Sequence, residues 1–363
     1  MRERRIPEHR RRSDCAKVRG MNKFFLAAAL AAAGGVARVL PGMLERKRRV
    51  AATVPVEMRT PMLYASLPTT SHQGVKRIRR IPLDPLFRLP EGVHKAVVNA
   101  KAPLRATVPV QLYRPEKRVH PSGAVLWIHG GGFVIGSAAM AQPMGGRVAK
   151  ELGVVVVSVE YRLAPEHPFP APLEDCYTAL KWLHDNAAEL DIDPTRIAIA
   201  GESAGGGLAA ALAQLAHDRG EVPVCFQLLV YPMLDDRTVL RQQHEGTGEF
   251  VWTPDKNRYG WSAYLGAPPT LDSAPEYAAA ARRDDLSGLP PTWIGVGDLD
   301  LFYAENLEYA RRLEEAGVEV ELQVVPGMPH GIDGMVRGAT AITAFNDSKI
   351  EALRRALREP DPA

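Results

Sequence analysis

The stretch Arg196-Ile-Ala-Ile-Ala-Gly-Glu-Ser-Ala-Gly-Gly-Gly-Leu-Ala-Ala-Ala211 decides the fold. Within it, the apolar strand pattern Ile197–Ala200 runs into Gly201-Glu202-Ser203-Ala204-Gly205, and a helical pattern follows directly. A Gly-x-Ser-x-Gly turn between a strand and a helix presents a strained, exposed serine above the edge of a sheet. The positions two residues before and after that serine, Gly201 and Gly205, must lack bulk. We therefore predict Ser203 as a nucleophile at a helix N-terminus, where the helix dipole favours developing negative charge.

The same stretch also contains a pattern typical of dinucleotide binding, Gly205-x-Gly207-x-x-Ala210. Such a site needs an acidic residue about 20 positions further on, at the end of the next strand, to hold a ribose. The next strand, Phe226-Gln-Leu-Leu-Val-Tyr-Pro232, ends without one. The pattern therefore favours the nucleophile turn over a nucleotide site.

Short apolar strands alternate with helical patterns on both sides of this turn. The strand patterns are Val108–Tyr113, Ala124–Ile128, Val154–Tyr161, Ile197–Ala200, Phe226–Tyr231, Trp293–Val296 and Glu319–Val325. Helical patterns lie near residues 172–187, 204–218, 303–316 and 339–358. Such alternation indicates a mostly parallel sheet with helices on both faces. We therefore predict the α/β class.

A glycine-rich run, His129-Gly130-Gly131-Gly132-Phe133, follows the strand Ala124–Ile128. Glycines let a backbone approach a substrate closely, and this loop, with the N–H after the nucleophile, forms the oxyanion hole of serine esterases. We predict the N–H groups of Gly131, Gly132 and Ala204 as oxyanion donors. His129 is expected to hold the loop.

A phosphate-binding loop is excluded for the same run. Gly131-x-x-x-x-Gly136 is followed by Ser137 and not by the lysine that such loops need.

A serine nucleophile needs a base, and the base needs an acid to orient it. His330 lies just after the strand Glu319–Val325, and Asp298 and Asp300 follow the strand Trp293–Val296. All three are therefore expected at the carboxyl edge of the sheet, in the chain order Ser, Asp, His that suits this arrangement. We predict His330 as the base and Asp300 as the acid, with Asp298 as the alternative acid.

Composition and charge exclude several other functions. The chain has 363 residues, of which 46% are hydrophobic and 24% charged. Residues 1–50 carry 14 Lys and Arg against 4 Asp and Glu, an excess of +10, so the rest of a chain of net charge +3 carries −7. A folded domain without a basic face of its own is not typical of nucleic-acid binding, so we expect no nucleic-acid partner.

Three cysteines, Cys15, Cys176 and Cys225, are too few and too scattered for a disulfide framework. We predict Cys176 and Cys225 as buried free thiols. No Cys–His cluster has the spacing of a zinc site, and we predict no metal.

The N-terminal region contains an apolar run, Phe24–Ala37, preceded by Lys17, Arg19 and Lys23. This resembles the start of an export signal but lacks a convincing cleavage site, and about 14 residues fall short of the roughly 20 that span a bilayer. We favour a cap or surface helix over residues 22–45. Met21 as the true start and contact with a membrane surface stay open. The predicted location is cytoplasmic, with membrane-associated or exported as the alternative because of residues 17–37.

We divide the chain into three parts. Residues 1–20 are polar and arginine-rich and are expected to form a disordered basic tail. Residues 21–90 contribute to a cap or a membrane-surface helix. Residues 91–363 form the catalytic domain, with a cap insertion at about 235–285, where the alternation of strands and helices breaks down. Insertions of this kind tend to lie above the carboxyl ends of the strands, where ligands bind.

Four motifs occur in order along the chain: His129–Phe133, Tyr161-Arg-Leu-Ala-Pro-Glu-His-Pro-Phe-Pro-Ala171, Gly201–Gly205 and Pro329-His-Gly331. Together they resemble the hormone-sensitive-lipase-like bacterial esterases of the α/β-hydrolase superfamily, over about residues 105–358. The resemblance implies the α/β-hydrolase fold with a helical cap, activity on esters of short- to medium-chain acids, and no cofactor.

The resemblance also bears on individual residues. In the family the catalytic aspartate begins an Asp-Pro-Leu-type segment; Asp300 aligns there, but Leu301 replaces the proline, which keeps Asp298 open. Glu202 stands where the family usually has Asp or Thr, and we assign it, with His129, Gly201 and Gly205, to the structural support of the site. Arg162 and Glu166 would brace the active-site loops.

These observations predict a serine carboxylesterase that acts on a small-molecule acyl ester. An amidase, deacetylase or lactonase with the same triad is the alternative within the class. A non-catalytic binding protein on a hydrolase scaffold is the alternative from another class. The oligomeric state, a homodimer included, is not readable from the sequence.

Overall fold

The computed structural model describes residues 40–64, 67–101, 107–118, 120–242, 244 and 246–358. The strands are β1 (Val93–Ala100), β2 (Val108–Pro115), β3 (Ser122–Ile128), β4 (Val155–Val159), β5 (Ile192–Glu202), β6 (Phe226–Val230), β7 (Thr292–Gly297) and β8 (Val320–Val325). The α-helices are α1 (Leu40–Thr53), α2 (His72–Arg79), α3 (Gln142–Leu152), α4 (Ala171–Asp185), α5 (Ala187–Leu190), α6 (Ala204–Arg219), α7 (Pro254–Leu265), α8 (Tyr303–Glu315) and α9 (Thr340–Ala356).

The strands form one sheet in the order β1-β2-β4-β3-β5-β6-β7-β8. β1 and β2 pair antiparallel, as do β2 and β4, and all other pairs are parallel. The predicted mostly parallel sheet of an α/β protein is therefore confirmed.

Both faces of the sheet are buried, because side chains alternate between two apolar clusters along each strand. In β4, Val155 and Val157 belong to one cluster and Val156 to the other. In β3, Leu126 and Trp127 divide in the same way. Helices α4, α6 and α8 contribute to the first cluster, and α1, α3 and α9 to the second. The strands therefore lie between two layers of helix.

The order of the strands places a crevice between β3 and β5. The chain leaves β3 towards β4 on one side, whereas β5 leads on to β6 on the other. Ligands bind in open α/β sheets at such a reversal, beyond the carboxyl ends of the strands. The register pairs Ile128 at the end of β3 with Gly201 near the end of β5, so the loops that follow these two strands start side by side.

Two cysteines lie in the described part of the chain, and both are free thiols. Cys176 in α4 is buried, as the sequence predicts. The prediction of burial is wrong for Cys225, which is only partly buried because it lies just before β6, at the edge of the second apolar cluster.

Two parts of the chain lie outside the alternating pattern. The N-terminal helices α1 and α2 precede the sheet, and the predicted insertion at about 235–285 contains α7 and two short 3₁₀ helices, Asp236–Leu240 and Ala280–Arg282. The apolar run Phe24–Ala37 lies outside the described residues, and the domain boundaries at residues 20 and 90 stay a prediction. Across the described ranges, none of the helices has both the length and the apolar character required to cross a bilayer.

Candidate active site

Ser203 lies at the turn between β5 and α6 with φ 57° and ψ −122°. A positive φ is uncommon for a residue with a side chain and costs conformational energy. The surrounding backbone holds the turn: the N–H of Ser203 donates to the carbonyl of Val230 (2.9 Å), and its own carbonyl accepts from Gly207 and Met233 (both 3.0 Å). The hydroxyl group is thereby fixed above the sheet at the start of α6.

The glycines at positions two before and two after Ser203 are required by close packing. A Cβ atom on Gly201 would lie 2.1 Å from the carbonyl oxygen of Gly205. A Cβ atom on Gly205 would lie 2.2 Å from the oxygen of Ile128 and 2.4 Å from that of His129. Because the obstructing atoms are all backbone, no side-chain movement could make room for a larger residue.

Ser203, His330 and Asp300 form a continuous chain of hydrogen bonds. Nε2 of His330 lies 2.8 Å from Oγ of Ser203, and Nδ1 lies 2.7 Å from Oδ2 of Asp300. All three side chains are buried, and Asp300 is completely so. The second oxygen of Asp300 accepts from the N–H of Phe302 (2.9 Å), whose ring packs edge-on against the imidazole. A carboxylate held in this way keeps Nδ1 protonated and leaves Nε2 free to accept the serine proton.

Asp298 has a different partner. Its Oδ1 accepts from the N–H of Gly327 at 2.6 Å, in the loop that leads from β8 to His330. The structure therefore brings Asp300, and not Asp298, against the histidine. Leu301, which stands where the family has proline, is buried and packs against Gly248 of the insertion. The contact is close, since a Cβ atom on Gly248 would lie 2.7 Å from the Leu301 side chain.

The glycine loop after β3 runs past Ser203. Gly131 and Gly132 have φ of 122° and 60°, values that favour glycine. A Cβ atom on Gly131 would lie 2.0 Å from the carbonyl oxygen of Ile135, and one on Gly132 would lie 2.0 Å from the indole ring of Trp252. Ala204 is the first residue of α6, where N–H groups have no partner within the helix. Gly131 and Gly132 line the same cavity as Ser203, and their role as oxyanion donors with Ala204 stays a prediction.

His129 is buried behind this loop. Its Nδ1 lies 2.7 Å from the carbonyl oxygen of Gly130, and its ring stacks on Tyr161, whose hydroxyl donates to the carbonyl of His129 (2.9 Å). Burial lowers the pKa of His129 to about 4. The imidazole is therefore neutral at pH 7, with Nδ1 as the donor that fixes the loop.

Arg162 and Glu166 lie in the loop after β4. Arg162 makes a bidentate ion pair with the buried Asp175: Nε lies 2.8 Å from Oδ2, and Nη2 lies 2.8 Å from Oδ1. Glu166 pairs with Arg79 of α2 (2.7 Å). Arg79 also donates through Nε to the carbonyl of Val134 (2.7 Å), just beyond the glycine loop.

Sequence reasoning missed a buried ionic cluster next to the triad. Asp333, three residues after His330, accepts from the hydroxyl of Tyr231 (2.7 Å) and from Nζ of Lys349 (2.5 Å). Lys349 lies on α9 and is completely buried. Burial alone would raise the pKa of Asp333, but the Lys349 ammonium and these hydrogen bonds hold it below its usual range. The Tyr231 ring packs edge-on against His330 at 4.7 Å, so the cluster helps to hold the imidazole in place.

Glu202 adds a further carboxyl group beside this cluster. It precedes the nucleophile and lines the cavity described next. Burial, followed by the negative charge of Asp333, raises the pKa of Glu202. The sequence predicts structural support for Glu202, and the structure places this residue on the cavity wall as well.

A cavity of about 780 Å³ opens above Ser203 and His330. Its wall is mainly apolar and comes from α2 and the segment after it, from α3, and from the insertion; it includes Ile78, Leu83, Phe87, Met140, Met144, Leu163, Val251 and Trp252. Ligand pockets of this kind are mostly apolar and carry a few polar groups that orient the ligand. Among the residues that the structure describes, no three His, Cys, Asp or Glu side chains form a group suited to a metal ion.

Comparison with known proteins identifies the family. A family model described as the alpha/beta hydrolase fold matches residues 125–333. Carboxylesterase NlhH of Mycobacterium tuberculosis is 39% identical over 255 residues, which cover 69% of this chain and 79% of that protein. A solved bacterial heroin esterase superposes with a TM-score of 0.76 at 37% identity, covering 85% of this chain and 99% of that one. The esterase LipW from Mycobacterium marinum gives a TM-score of 0.73 at 31% identity, covering 84% and 96%.

The chain belongs to this α/β-hydrolase family. Within the family it is a serine carboxylesterase of the hormone-sensitive-lipase-like group, as the four sequence motifs predict.

Proposed function

We propose that the protein hydrolyses esters of short- to medium-chain carboxylic acids through an acyl-enzyme formed on Ser203. The observation that carries this proposal is the hydrogen-bond chain from Ser203 Oγ through His330 to Asp300, with distances of 2.8 and 2.7 Å, at the base of an apolar cavity. A serine, an imidazole base and a buried acid in this geometry are the arrangement that activates an alcohol as a nucleophile.

In the first half-reaction, His330 Nε2 takes the proton of Ser203 while Oγ attacks the ester carbonyl carbon. Asp300 keeps the imidazole oriented and stabilises the imidazolium that forms. The tetrahedral intermediate then collapses: the bond from carbon to the leaving oxygen breaks, and His330 gives its proton to the departing alcohol. The acyl group stays on Ser203 as an ester.

In the second half-reaction, His330 takes a proton from water, and the hydroxide oxygen attacks the acyl carbon. The bond to Ser203 Oγ breaks, and the proton returns from His330 to the serine. A carboxylic acid leaves. His330 returns in each half-reaction the proton that it takes, so the enzyme ends the cycle as it began and the proposed cycle uses no cofactor.

The negative charge on the carbonyl oxygen forms at both tetrahedral stages. We assign its stabilisation to the N–H groups of Gly131, Gly132 and Ala204. Removing one donor of this kind costs about 3 kcal/mol in the barrier. The donors are backbone groups, which accounts for glycine at two positions whose φ is positive and whose Cβ atoms would collide with Ile135 and Trp252.

The acyl chain is expected to lie in the apolar cavity. The volume of the cavity, about 780 Å³, falls within the range of small-molecule pockets. The wall of the cavity includes side chains of α2 and of the segment after it. Activity should therefore extend beyond acetate to longer chains.

Hydrolysis of p-nitrophenyl esters from acetate to palmitate, by wild type and Ser203→Ala, tests the proposal. We expect turnover of short and medium chains by wild type and a loss of roughly 10⁴-fold or more in the variant. A folded wild type that cleaves no ester of the series would overturn the proposal. In that case, hydrolysis of matched amides and lactones identifies the kind of bond that the protein cleaves, and a fluorophosphonate probe that failed to label Ser203 would favour a non-catalytic binding role.

A further inference from the structure

Lys256, in the first turn of α7, is a buried cation in the wall of the active-site cavity. Only 3% of the residue is exposed. Its ammonium donates to the carbonyl of Val251 at 2.6 Å, which is the single hydrogen bond that the structure gives it within the described residues. A buried charge is costly unless it is paired. Other cations on the same wall are paired: Arg79 with Glu166, and Arg147 with Glu151 and Asp347.

The surroundings of Lys256 are positive. Burial and the nearby charge of Arg46 lower the pKa of Lys256 to about 8. Arg46 donates through Nε to the carbonyl of Leu63 (2.6 Å), but its Nη2 is buried without a partner among the described residues. The carboxylate that acts on Arg46, Glu249, lies 3.8 Å from Arg49. The half-buried Arg46 therefore has one distant carboxylate, which also lies near Arg49, and the charge that acts on the pKa of Lys256 is the positive charge of Arg46.

A buried hydroxyl group on the same cavity wall also lacks a partner. Thr69 is 1% exposed, and its Oγ1 makes no hydrogen bond within the described part of the chain. Thr69 and Lys256 both line the cavity above Ser203. A hydroxyl group and an ammonium group can both donate hydrogen bonds to a carboxylate.

The backbone beside Lys256 is strained and lies next to the reacting centre. Val251, whose carbonyl holds the ammonium, has φ 59°, which for a β-branched residue is a rare and costly conformation that occurs at ligand clamps. The next residue, Trp252, packs against Gly132 of the glycine loop, and its ring centroid is 6.5 Å from that of His330. A substrate bound at Ser203 is therefore close to this segment.

The other carboxylates on the cavity wall do not neutralise Lys256. Asp333 pairs with Lys349, and Glu160 accepts from the N–H of Ala138 (2.8 Å). The pKa of Glu202 depends on its burial and on the charges of Asp333, Lys349 and His330, and not on Lys256. The counter-charge for Lys256 is thus absent from the described part of the cavity wall.

We propose that Lys256 and Thr69 bind a carboxylate carried by the substrate, so that the preferred esters bear a free acid group as well as the ester to be cleaved. This inference rests on the proposed ester hydrolysis and names its substrate class. Arg46 strengthens the positive potential at the site. The carboxylate supplies the counter-charge and accepts the hydrogen bonds that the ammonium and hydroxyl groups can still donate.

The test compares esters that differ only in charge. Monoethyl glutarate carries the acid on the acyl side, and its neutral match is ethyl 4-carbamoylbutanoate; 4-acetoxybutanoate carries it on the alcohol side, and its match is 4-acetoxybutanamide. We expect wild type to prefer one acid over its amide by about 10- to 100-fold in kcat/KM, the usual effect of a charged hydrogen bond. The pair that shows the preference identifies the side on which the acid lies.

Lys256→Met should reduce this preference to about one, chiefly through a higher KM for the acid, because ground-state binding is lost. Thr69→Val, which keeps the shape of the side chain, should reduce it several-fold. Lys117→Met, an exposed lysine at the opposite end of the sheet, is the matched control and should keep the full preference.

Calorimetric titration of the preferred acid into Ser203→Ala, with and without Lys256→Met, measures binding without turnover, and we expect Lys256→Met to weaken it. A wild type that cleaves acids and amides equally well overturns the inference and leaves ester hydrolysis intact. Equal preferences in wild type, Lys256→Met and Thr69→Val overturn it as well. A protein that cleaves p-nitrophenyl esters but none of these four overturns the inference alone, whereas one that cleaves neither set fails the proposed function, and the inference falls with it.

Discussion

The two aspartates after β7 are two residues apart in sequence and have separate partners. Asp300 lies against His330 Nδ1 (2.7 Å), whereas Asp298 accepts from the N–H of Gly327 (2.6 Å) in the loop that carries the histidine. One carboxylate therefore acts on the imidazole directly, and the other fixes the turn from which the imidazole projects. Their loss should have different consequences.

Asp300→Asn should lower kcat by about 10⁴-fold with little change in KM, because the amide favours the wrong tautomer of His330. Asp298→Asn retains an oxygen that can accept from Gly327 and should lower kcat by less than about tenfold. Steady-state kinetics on p-nitrophenyl butyrate, with circular dichroism to confirm folding, measures both. Equal losses in the two variants would contradict the assignment of Asp300 as the acid.

The strand pattern does not separate these aspartates, because both follow the same strand and both reach the carboxyl edge; the sequence favours Asp300 through the family resemblance and keeps Asp298 as the alternative. What separates them is the turn in which the N–H of Asp300 donates to the carbonyl of Gly297 (3.1 Å). That turn directs Asp300 towards His330. The strand pattern predicts the edge at which a side chain lies, but the dihedral angles of the following loop decide its direction.

His129 should make the stability of the protein depend on pH. Its pKa falls from about 6.5 in an unfolded chain to about 4 in the folded protein, because it is buried. Between these values the unfolded state binds more protons, so stability is complete above pH 6.5 and falls as the pH decreases through the window. The loss attributable to this group should reach about 2 kcal/mol at pH 5.

Urea unfolding at pH 7 and pH 5 measures this effect. His129→Gln, which cannot titrate, should lose about 2 kcal/mol less than wild type between the two pH values, whatever its stability at pH 7. The difference between the two pH values is compared, and not the absolute stability, since the substitution also removes the stacking on Tyr161. Parallel losses in the two proteins would rule out His129 as the titrating group.

At the scale of elements, the contact of β5 and α6 with the end of β3 fixes the nucleophile. Gly205 in the first turn of α6 lies against the carbonyl groups of Ile128 and His129, at distances that exclude a Cβ atom. Gly220, at the end of the same helix, has φ 62°, and a Cβ atom there would meet nothing within 4 Å. The two glycines serve different needs: one allows close packing, and the other allows a left-handed backbone.

Gly205→Ala should therefore destabilise the protein by about 4 kcal/mol or more and abolish activity, since backbone groups must move. Gly220→Ala should cost about 1 to 2 kcal/mol, the strain of a left-handed alanine, and keep normal kcat. Chemical unfolding and ester hydrolysis of both variants provide the measurements. An active, stable Gly205→Ala protein would show that α6 can shift away from β3.

The sequence predicted seven of the eight described strands, and the exception has a physical reason. β1 has intermediate or exposed residues at every position except Ala100, so it carries no pattern of apolar residues. Its pairing with β2 holds it in the sheet. Helix α3 was also not foreseen, because it contains Gly145 and Gly146, which are poor helix formers. Their missing side chains make room for Val156 and Pro90.

At the scale of the whole molecule, the site is assembled from the ends of strands β3, β5, β7 and β8, and these positions follow from the sequence. The cluster of Asp333, Lys349 and Tyr231 does not, because it joins β6, the loop after β8 and α9. The sequence offered a signal: a lysine in the apolar pattern of α9 that has no acidic neighbour four residues away. Only the packing of α9 on the sheet supplies its partner.

The N-terminal helix α2 is attached to the catalytic domain through Arg79. The guanidinium group donates to the carbonyl groups of Val134 (2.7 Å) and Ala164 and pairs with Glu166 (2.7 Å). These three acceptors lie in the loops after β3 and β4. Arg79 also lines the cavity. It therefore connects the N-terminal part of the cavity wall to the loops after β3 and β4.

Arg79→Met should loosen this wall without altering the triad. Loss of the three hydrogen bonds is expected to cost on the order of 2 kcal/mol. The KM for p-nitrophenyl octanoate, whose chain contacts this wall, should rise more than the KM for the acetate, and kcat for the acetate should change little.

Arg311→Met removes an exposed arginine that pairs with Glu308 and Glu315 on α8, and the unfolding free energy of this control should stay within about 0.5 kcal/mol of wild type. If Arg79→Met matched that control in stability and in its chain-length profile, α2 would be held by apolar packing alone, and the cavity wall would not depend on the guanidinium group.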